Sequence, residues 1–309
     1  MPQLVPFSTP GRFWRGNLHT HSNLSDGAWS LDNVVNAYKR VGYDFVMMSE
    51  HFIHHYNFPM ADTRHLRGND FTTLIGAELH APVTSAGELW HIVAAGLPLD
   101  FPPPGKGETG PQIAKRAVAA GAFVGIAHPA WSQLTLEDGR DLSFAHAVEI
   151  YNHGCAVECD RGDGFYLLDQ LLNEGHRMSA FATDDAHFKV PDHFGGWVQV
   201  KAQSLDPEVL LEALKRGQYY ASQGPQFHDI QLVGDELTVN CSPVDTIAVV
   251  CGISRTVVKV GRAITEATLN LKKLEDGWLM EKTSPWFRVV VIDNGGKRAW
   301  SNPYWFEDL

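Results

Sequence analysis

The chain reads as an α/β protein: a parallel, helix-covered sheet over residues 1–225, then a small antiparallel β domain over residues 226–309. Three observations carry that reading. First, apolar strand-like runs alternate with helix-period segments through the first part. This repetition sets parallel strands under covering helices, as a barrel or as an open sheet. Second, from about Gln226 the pattern changes to β-branched alternation with turn signals and no convincing helix. Third, 309 residues with 44% apolar and 20% charged content suit one large domain plus a second small one.

In chain order, FWRGNLHTH is a strand. A helix follows over SLDNVVNAYKRVG, where Leu31, Val34, Val35, Tyr38 and Val41 share helical spacing, Ser30 is the N-cap and Gly42 the stop. YDFVMMS is a buried strand ending at Glu50 and His51. FTTLIGAEL and WHIVAAGL are two more strands, separated by the turn-rich PVTSAG. LDFPPPGKGETG is a Pro/Gly-rich loop long enough to form a lid or rim. The alternation resumes with helix PQIAKRAVAAG, strands AFVGIAHP and AVEIYN, helix GFYLLDQLLNEG and strand RMSAFAT. Helix DPEVLLEALKRG, with Pro207 in its first turn, leads into YYASQGP. The β domain comprises QFHDIQLVGDELTVNC, DTIAVVCG, TVVKVG, ATLNLKKLEDGWLMEK and WFRVVVIDNGGKRAW. It holds no candidate site residue and reads as a packing or homo-oligomerisation module.

Composition narrows the partners. The net charge of -11, without a run of Lys or Arg, disfavours a nucleic-acid backbone. The N-terminus lacks a basic start and apolar run, and no apolar stretch approaches the ~20 residues of a membrane span. The expected location is therefore cytoplasmic, with no membrane partner. Cys155, Cys159, Cys241 and Cys251 are too few and too irregularly spaced for a disulfide framework. They read as reduced thiols, with a metal role for Cys155 and Cys159 as the alternative.

The chemistry lies in nine potential metal donors. They are His19, His21 and Asp26 in NLHTHSNLSDG, His51 in SEHF, Glu78 in GAELHA, His91 in LWHIV, His128 in IAHPA, and Asp185 and His187 in DDAHF. Most fall at predicted strand ends, where active sites of parallel β/α folds gather. Singly, a histidine there can simply cap a strand, but the repetition argues for a site. His19 and His21 leave one face of an extended chain, as a chelating pair must. Glu78 follows the apolar LIGA, where a buried carboxylate is costly unless a cation accompanies it. Spacing leaves Asp184 and Asp185 both open. Asp185 is preferred for its same-face relation to His187, with Asp184 as its support or a helix cap. His80 and Glu88 flank this set as further candidates, and the remaining histidines read as surface or structural. Nitrogen and oxygen donors without thiolates suit Zn, Mn or Fe, and a set this large can hold two or three divalent ions.

The order HxH, D, H, E, H, HP, DxH resembles the PHP (polymerase and histidinol phosphatase) family across residues 14–225. GNLHTHSNLSDG, GQYYASQGP and the β-rich C-terminus look most like its stand-alone, carbaryl-hydrolase-like branch. One departure is Asp184, where many members have Ser. The resemblance implies a distorted (β/α)7 barrel with a two- or three-metal centre at its C-terminal strand ends. The implied activity is phosphoesterase, with metal-bound hydroxide attacking a small-molecule phosphate ester. His21 and His187 are the candidate proton donors. Arg161 in CDRGDG is the first choice for a phosphate clamp, ahead of Lys189 and Arg177. A second reading keeps the metals and cleaves an aryl carbamate, ester or amide, with Trp29, Phe52, Trp90, Trp131 and Phe188 lining an apolar pocket. A third is a non-catalytic metal-binding scaffold, against which the full set of nine donors argues.

Overall fold

The computed structural model describes residues 3–252, 254–274 and 284–309. The first part contains β1 (Arg12–Asn17), α1 (Leu31–Arg40), β2 (Phe45–Met48), β3 (His51–Phe52), β4 (Thr72–Ala81), β5 (Trp90–Ala95), α2 (Gly110–Ala119) and β6 (Phe123–Ile126). It continues with α3 (Leu136–Asp141), β7 (Ala147–Asn152), α4 (His153–Cys159), α5 (Phe165–Asn173), β8 (Ser179–Thr183), β9 (Trp197–Ala202), α6 (Pro207–Lys215) and β10 (Tyr219–Ser222). The C-terminal part is β11 (Phe227–Val233), β12 (Glu236–Cys251), β13 (Thr256–Asn270), β14 (Trp286–Ile292), β15 (Arg298–Trp300) and β16 (Tyr304–Trp305). The end of the expected ATLNLKKLEDGWLMEK strand, residues 275–282, lies outside the described residues. No helix among the described residues is long and apolar enough to cross a membrane.

Every expected helix is present. α1 begins after Ser30, whose side chain makes no capping bond, and ends before Gly42, which takes a left-handed φ of 85°. Asp206 caps α6 by accepting from the backbone N–H groups of Glu208 and Val209, with Pro207 behind it. Helices α3 and α4 and strand β9 were not anticipated.

The expected parallel sheet is instead mixed. β1, β2, β4, β6, β7 and β8 run in one direction, and β5 alone among them is reversed, pairing antiparallel with both β4 and β6. The cause is the short β4–β5 connection, which contains no crossover helix and so returns the chain as a hairpin. The ladder is open. Its hydrogen-bonded order runs β11-β12-β14-β15-β10-β9-β1-β2-β4-β5-β6-β7-β8, and β8 and β1 share no ladder. Beyond their ends the two segments meet at one parallel bridge, Thr20 with Ala186.

Leu18, Phe45, Met47, Leu74, Phe123 and Phe181 form the core enclosed by these strands. Two glycines make room for it. A Cβ on Gly16 would lie 2.0 Å from the Phe45 ring, and one on Gly125 would lie 2.5 Å from Phe181. The opposite face packs against helices through Ile113, Ala117, Leu168 and Leu171. The C-terminal strands have their own core, which Leu4 and Phe7 complete, while Trp286, Trp300 and Trp305 join the helix-side core of the first part.

Buried Asn302 ties the two parts together. Its Oδ1 accepts from Ala180 N–H at 2.8 Å in β8, and its Nδ2 donates to the carbonyls of Gly217 and Tyr219, both at 3.0 Å. Asn302→Ala leaves these backbone groups without partners and is expected to lower stability by about 2–4 kcal/mol, read from the urea midpoint. An unchanged midpoint would remove Asn302 as the tie.

Candidate metal centre

The C-terminal ends of the co-directional strands converge on Glu78. This carboxylate has no solvent exposure. His91 Nδ1 (2.7 Å), His128 Nε2 (3.2 Å) and His19 Nε2 (3.6 Å) approach its Oε1. His51 Nδ1 (2.6 Å), His80 Nε2 (3.5 Å) and His21 Nε2 (3.7 Å) approach its Oε2. Burial alone would raise the pKa of Glu78, but the facing imidazoles, His91 foremost, hold it well below the ordinary carboxylate value.

Local backbone geometry delivers each donor. The chain after β1 lies beside the chain after β8: Asp185 N–H donates to the His19 carbonyl at 2.8 Å, and His21 N–H to the Ala186 carbonyl at 2.9 Å. The HxH and DxH segments therefore interlock. Asp185 Oδ1 lies 3.0 Å from His21 Nε2 and 3.2 Å from His19 Nε2. His51 pairs in register with Glu78 through the β3–β4 ladder, and His91 lies opposite His80 on the reversed β5. His128 and Asp185 hold positive φ values of 23° and 52°, a strained backbone for side chains that must point inward. Asp26 stands at the rim, its Oδ1 at 3.1 Å from His187 Nε2 and 3.3 Å from His51 Nε2.

All nine donors expected from sequence are brought together. With His80 they form four overlapping groups whose ligand atoms lie within 4.8 Å of one another: His21, Asp26, His51 and His187; His51, Glu78, His80 and His91; His19, His21 and Asp185; His19, Glu78 and His128. Within them, buried His19 Nε2, His21 Nδ1, Asp26 Oδ1 and Glu78 Oε2 make no well-aligned hydrogen bond, and the close neighbours of His19 Nε2, Asp26 Oδ1 and Glu78 Oε2 are other members of the cluster. Burial, reinforced by His51 and His187, lowers the His21 pKa to about 3, so this imidazole keeps a free lone pair. Clustered, desolvated nitrogen and oxygen donors without well-aligned hydrogen bonds fit divalent cations.

The Asp184/Asp185 ambiguity resolves by geometry. Asp184 accepts from Tyr38 Oη (2.7 Å) and from the N–H groups of Phe194, Gly195 and Gly196 (2.8, 2.8 and 2.9 Å), which anchors the 194–196 loop. Burial nevertheless raises its pKa to about 6. Asp185 alone of the two faces the cluster. Glu88 is exposed and outside every group.

Two carboxylates that support the site were missed in the sequence. Glu149 is fully buried; it takes His19 Nδ1 at 3.2 Å, His128 N–H at 2.6 Å and Asn152 Nδ2 at 3.0 Å, orienting two donor histidines from behind. Glu50 accepts from Ser22 N–H (3.0 Å) and from the hydroxyls of Ser22 and Ser25 (both 2.5 Å), and so shapes the turn that carries Asp26. Glu149 interrupts an apolar strand just as Glu78 does, which is a usable signal.

A cleft of about 280 Å³ opens over Asp26, His51, His91, His128, Asp185 and His187, with walls from Trp131, Cys155, Glu158 and Lys189. Arg161, the expected phosphate clamp, is exposed on the α4–α5 loop and does not line this cleft. Arg177 binds Asp308 and Glu307 elsewhere. The cation at the cleft is Lys189, with Nζ 3.2 Å from Asp26 Oδ2. Of the two candidate proton donors, His187 lines the cleft and His21 is fully enclosed. Among the five aromatics named earlier, only Trp131 lines the cleft; Phe52 and Trp90 are core, and Trp29 stacks on Phe188 at 4.4 Å. All four cysteines are free thiols. Burial pushes the Cys155 thiol pKa up, and neither Cys155 nor Cys159 joins a donor group.

No family model and no curated protein sequence matches the chain. Among solved structures, it is similar to a two-domain protein from Bacteroides vulgatus containing a predicted PHP-like metal-dependent phosphoesterase. The TM-score is 0.53 and the identity 14%, over 95% of this chain and 94% of that one. A proposed metal-dependent phosphoesterase from Bifidobacterium adolescentis gives a TM-score of 0.42 at 14% identity, covering 69% of this chain and 98% of that one. An amidohydrolase from Chromobacterium violaceum gives 0.39 at 12% identity, covering 58% and 89%. The first likeness establishes a shared fold.

Glu149→Gln removes the charged partner of His19 Nδ1 and is expected to weaken metal binding about 10- to 100-fold, measured by titration with a chromophoric chelator. Wild-type affinity in a folded variant would dismiss Glu149 as an orienting group.

Proposed function

We propose that the chain is a metal-dependent hydrolase of the PHP type, in the stand-alone, carbaryl-hydrolase-like branch, acting on a phosphate ester of a small metabolite. The observation that carries this reading is the cluster of eight donors and His80 around the ninth donor, buried Glu78, beneath an open cleft. The fold likeness to a two-domain protein with a PHP-like phosphoesterase supports it. In this reading β1, β2 and β4 to β8 form a distorted (β/α)7 barrel closed at its rim by the Thr20–Ala186 bridge. Residues 1–225 then hold the chemistry and 226–309 buttress it.

Two or three divalent ions, Zn, Mn or Fe, would be held by His19, His21, Asp26, His51, Glu78, His91, His128, Asp185 and His187. Once bound, they supply a hydroxide near neutral pH and offset charge on the phosphoryl oxygens. The protein's own contribution is orientation. Glu149 fixes His19, the Asp185 carbonyl takes His187 Nδ1 at 2.9 Å, and Ser132 Oγ takes His128 Nδ1 at 3.1 Å. Lys189, half-exposed beside Asp26, offers an incoming phosphate its positive charge. His187 lines the cleft with its Nδ1 given to the Asp185 carbonyl, so its Nε2 can serve an ion or a leaving group's proton, not both at once.

A second reading rests on Trp131, 41% exposed and edge-on to His91 and His128 at 5.3 and 5.1 Å. A flat apolar wall there also suits the aryl group of a carbamate or ester.

Manganese- or zinc-loaded protein should release phosphate from p-nitrophenyl phosphate or from a member of a metabolite phosphoester panel. It should turn over 1-naphthyl methylcarbamate more slowly. The reverse preference selects the second reading, and metal uptake without turnover of any substrate leaves a binding scaffold. His19→Ala should abolish activity with an unchanged circular dichroism spectrum. Lys189→Ala should raise KM for the phosphoester about fivefold, as expected for a half-exposed charge contact, with kcat kept. Arg161→Ala should change neither.

A further inference from the structure

His80 is a buried imidazole outside the nine donors, and the atoms around it determine where its proton sits. It follows Glu78 by two residues on β4, so both side chains leave the same face of the strand. Its Nδ1 lies 3.1 Å from the Trp90 carbonyl oxygen, across the β4–β5 hairpin. A carbonyl can only accept, so Nδ1 carries the hydrogen. A neutral imidazole has one N–H, which leaves His80 Nε2 as an acceptor. Facing it at 2.9 Å is His51 Nδ1, which must then be the donor. A neutral His51 with its hydrogen on Nδ1 has its lone pair on Nε2, the atom 3.3 Å from Asp26 Oδ1 and on the side of His187.

We propose that His80 is a positioning residue: it holds His51 as the Nδ1–H tautomer and so presents His51 Nε2 to an ion shared with Asp26 and His187. The inference rests on the metal-centre reading. It also assigns a division of labour around Glu78. His51 Nδ1 lies near two acceptors, His80 Nε2 and Glu78 Oε2 at 2.6 Å. A carboxylate whose lone pairs are given to a cation is a poorer acceptor. His80 Nε2 then accepts the hydrogen bond of His51 Nδ1–H, and Glu78 is released to face the ions. The chain of contacts runs from a main-chain carbonyl through two imidazoles, so a rigid hairpin fixes the tautomer of a rim histidine. Supporting partners of this type typically tune metal affinity about 10- to 100-fold.

The test is nitrogen-15 NMR of the histidine side chains in the zinc-loaded, diamagnetic protein. His51 should show its hydrogen on Nδ1 and a coordination shift on Nε2. His80 should show its hydrogen on Nδ1 and no coordination shift on Nε2. A hydrogen on His51 Nε2, or a coordinated His80 Nε2, overturns the proposal; the latter makes His80 a ligand in its own right. Protein that takes up no zinc at all refutes the metal centre itself, which is a different failure. Substitution supplies the second arm. His80→Leu should weaken the uptake of one ion about 10- to 100-fold by calorimetry, leaving the other binding steps in place. His80→Gln places a carbonyl oxygen near the lost Nε2 and should restore uptake to within a few-fold. Equal damage in the two variants, or none in His80→Leu, counts against the relay.

Discussion

A carboxylate buried without exposure must be surrounded by charge or by hydrogen-bond donors, and Glu78 fixes most of what surrounds it. Its two oxygens divide six imidazoles into two sets of three. The carboxylates one layer out behave differently. Glu149, Glu50 and Asp184 stand behind the donors and accept from main-chain N–H groups, hydroxyls, an amide or, for Glu149, the outer nitrogen of His19. Each holds a segment that carries a donor: the chain before His128, the turn with Asp26, the loop following Asp185. Inner acids face imidazoles of the donor set, and outer acids face mostly main-chain N–H, amide and O–H groups.

The donors were legible in the sequence because each stands beside an apolar run with a fixed local spacing. The co-directional strands were legible for the same reason. His91 is instructive: it sits at the start of its strand rather than the end, yet it reaches the same rim because β5 is reversed. The period of a strand gives its faces and not its direction, so the reversal had to come from the length of the β4–β5 connection. Glu50 and His80 were harder to assign. Their partners are Ser22 and Ser25 in one case and Trp90 and His51 in the other, and no local pattern joins them. Lys189 over Arg161 belongs to the same class, since only the folded loops show which cation borders the cleft.

The β-rich C-terminal part contributes no donor, yet it is continuous with the sheet. The β10–β15 ladder carries the strand order from the first part into β14 and β12, and Asn302 fills hydrogen bonds of both β8 and the α6–β10 turn. Trp286 and Trp300 meanwhile complete the helix-side core. This part therefore braces the sheet through β8, β10 and the helix-side core. Strand β9, which the sequence reading passed over, is the intermediary, paired with β1 on one side and β10 on the other.

The contact between Thr20 and Ala186 spans 166 residues of sequence, and that distance has a kinetic meaning. Loop closure of this length is entropically costly, and nothing local rewards it before the intervening strands are laid down. On a ribosome, His19 and His21 emerge long before Asp185 and His187. The early histidines must wait in a chain that offers them only partial company. Assembly of the full donor cluster is consequently a late event, available only when the last motif has docked beside the first. The donor set is thus completed only when residues 185–187 have docked beside residues 19–21, so an unfinished chain holds no more than part of it.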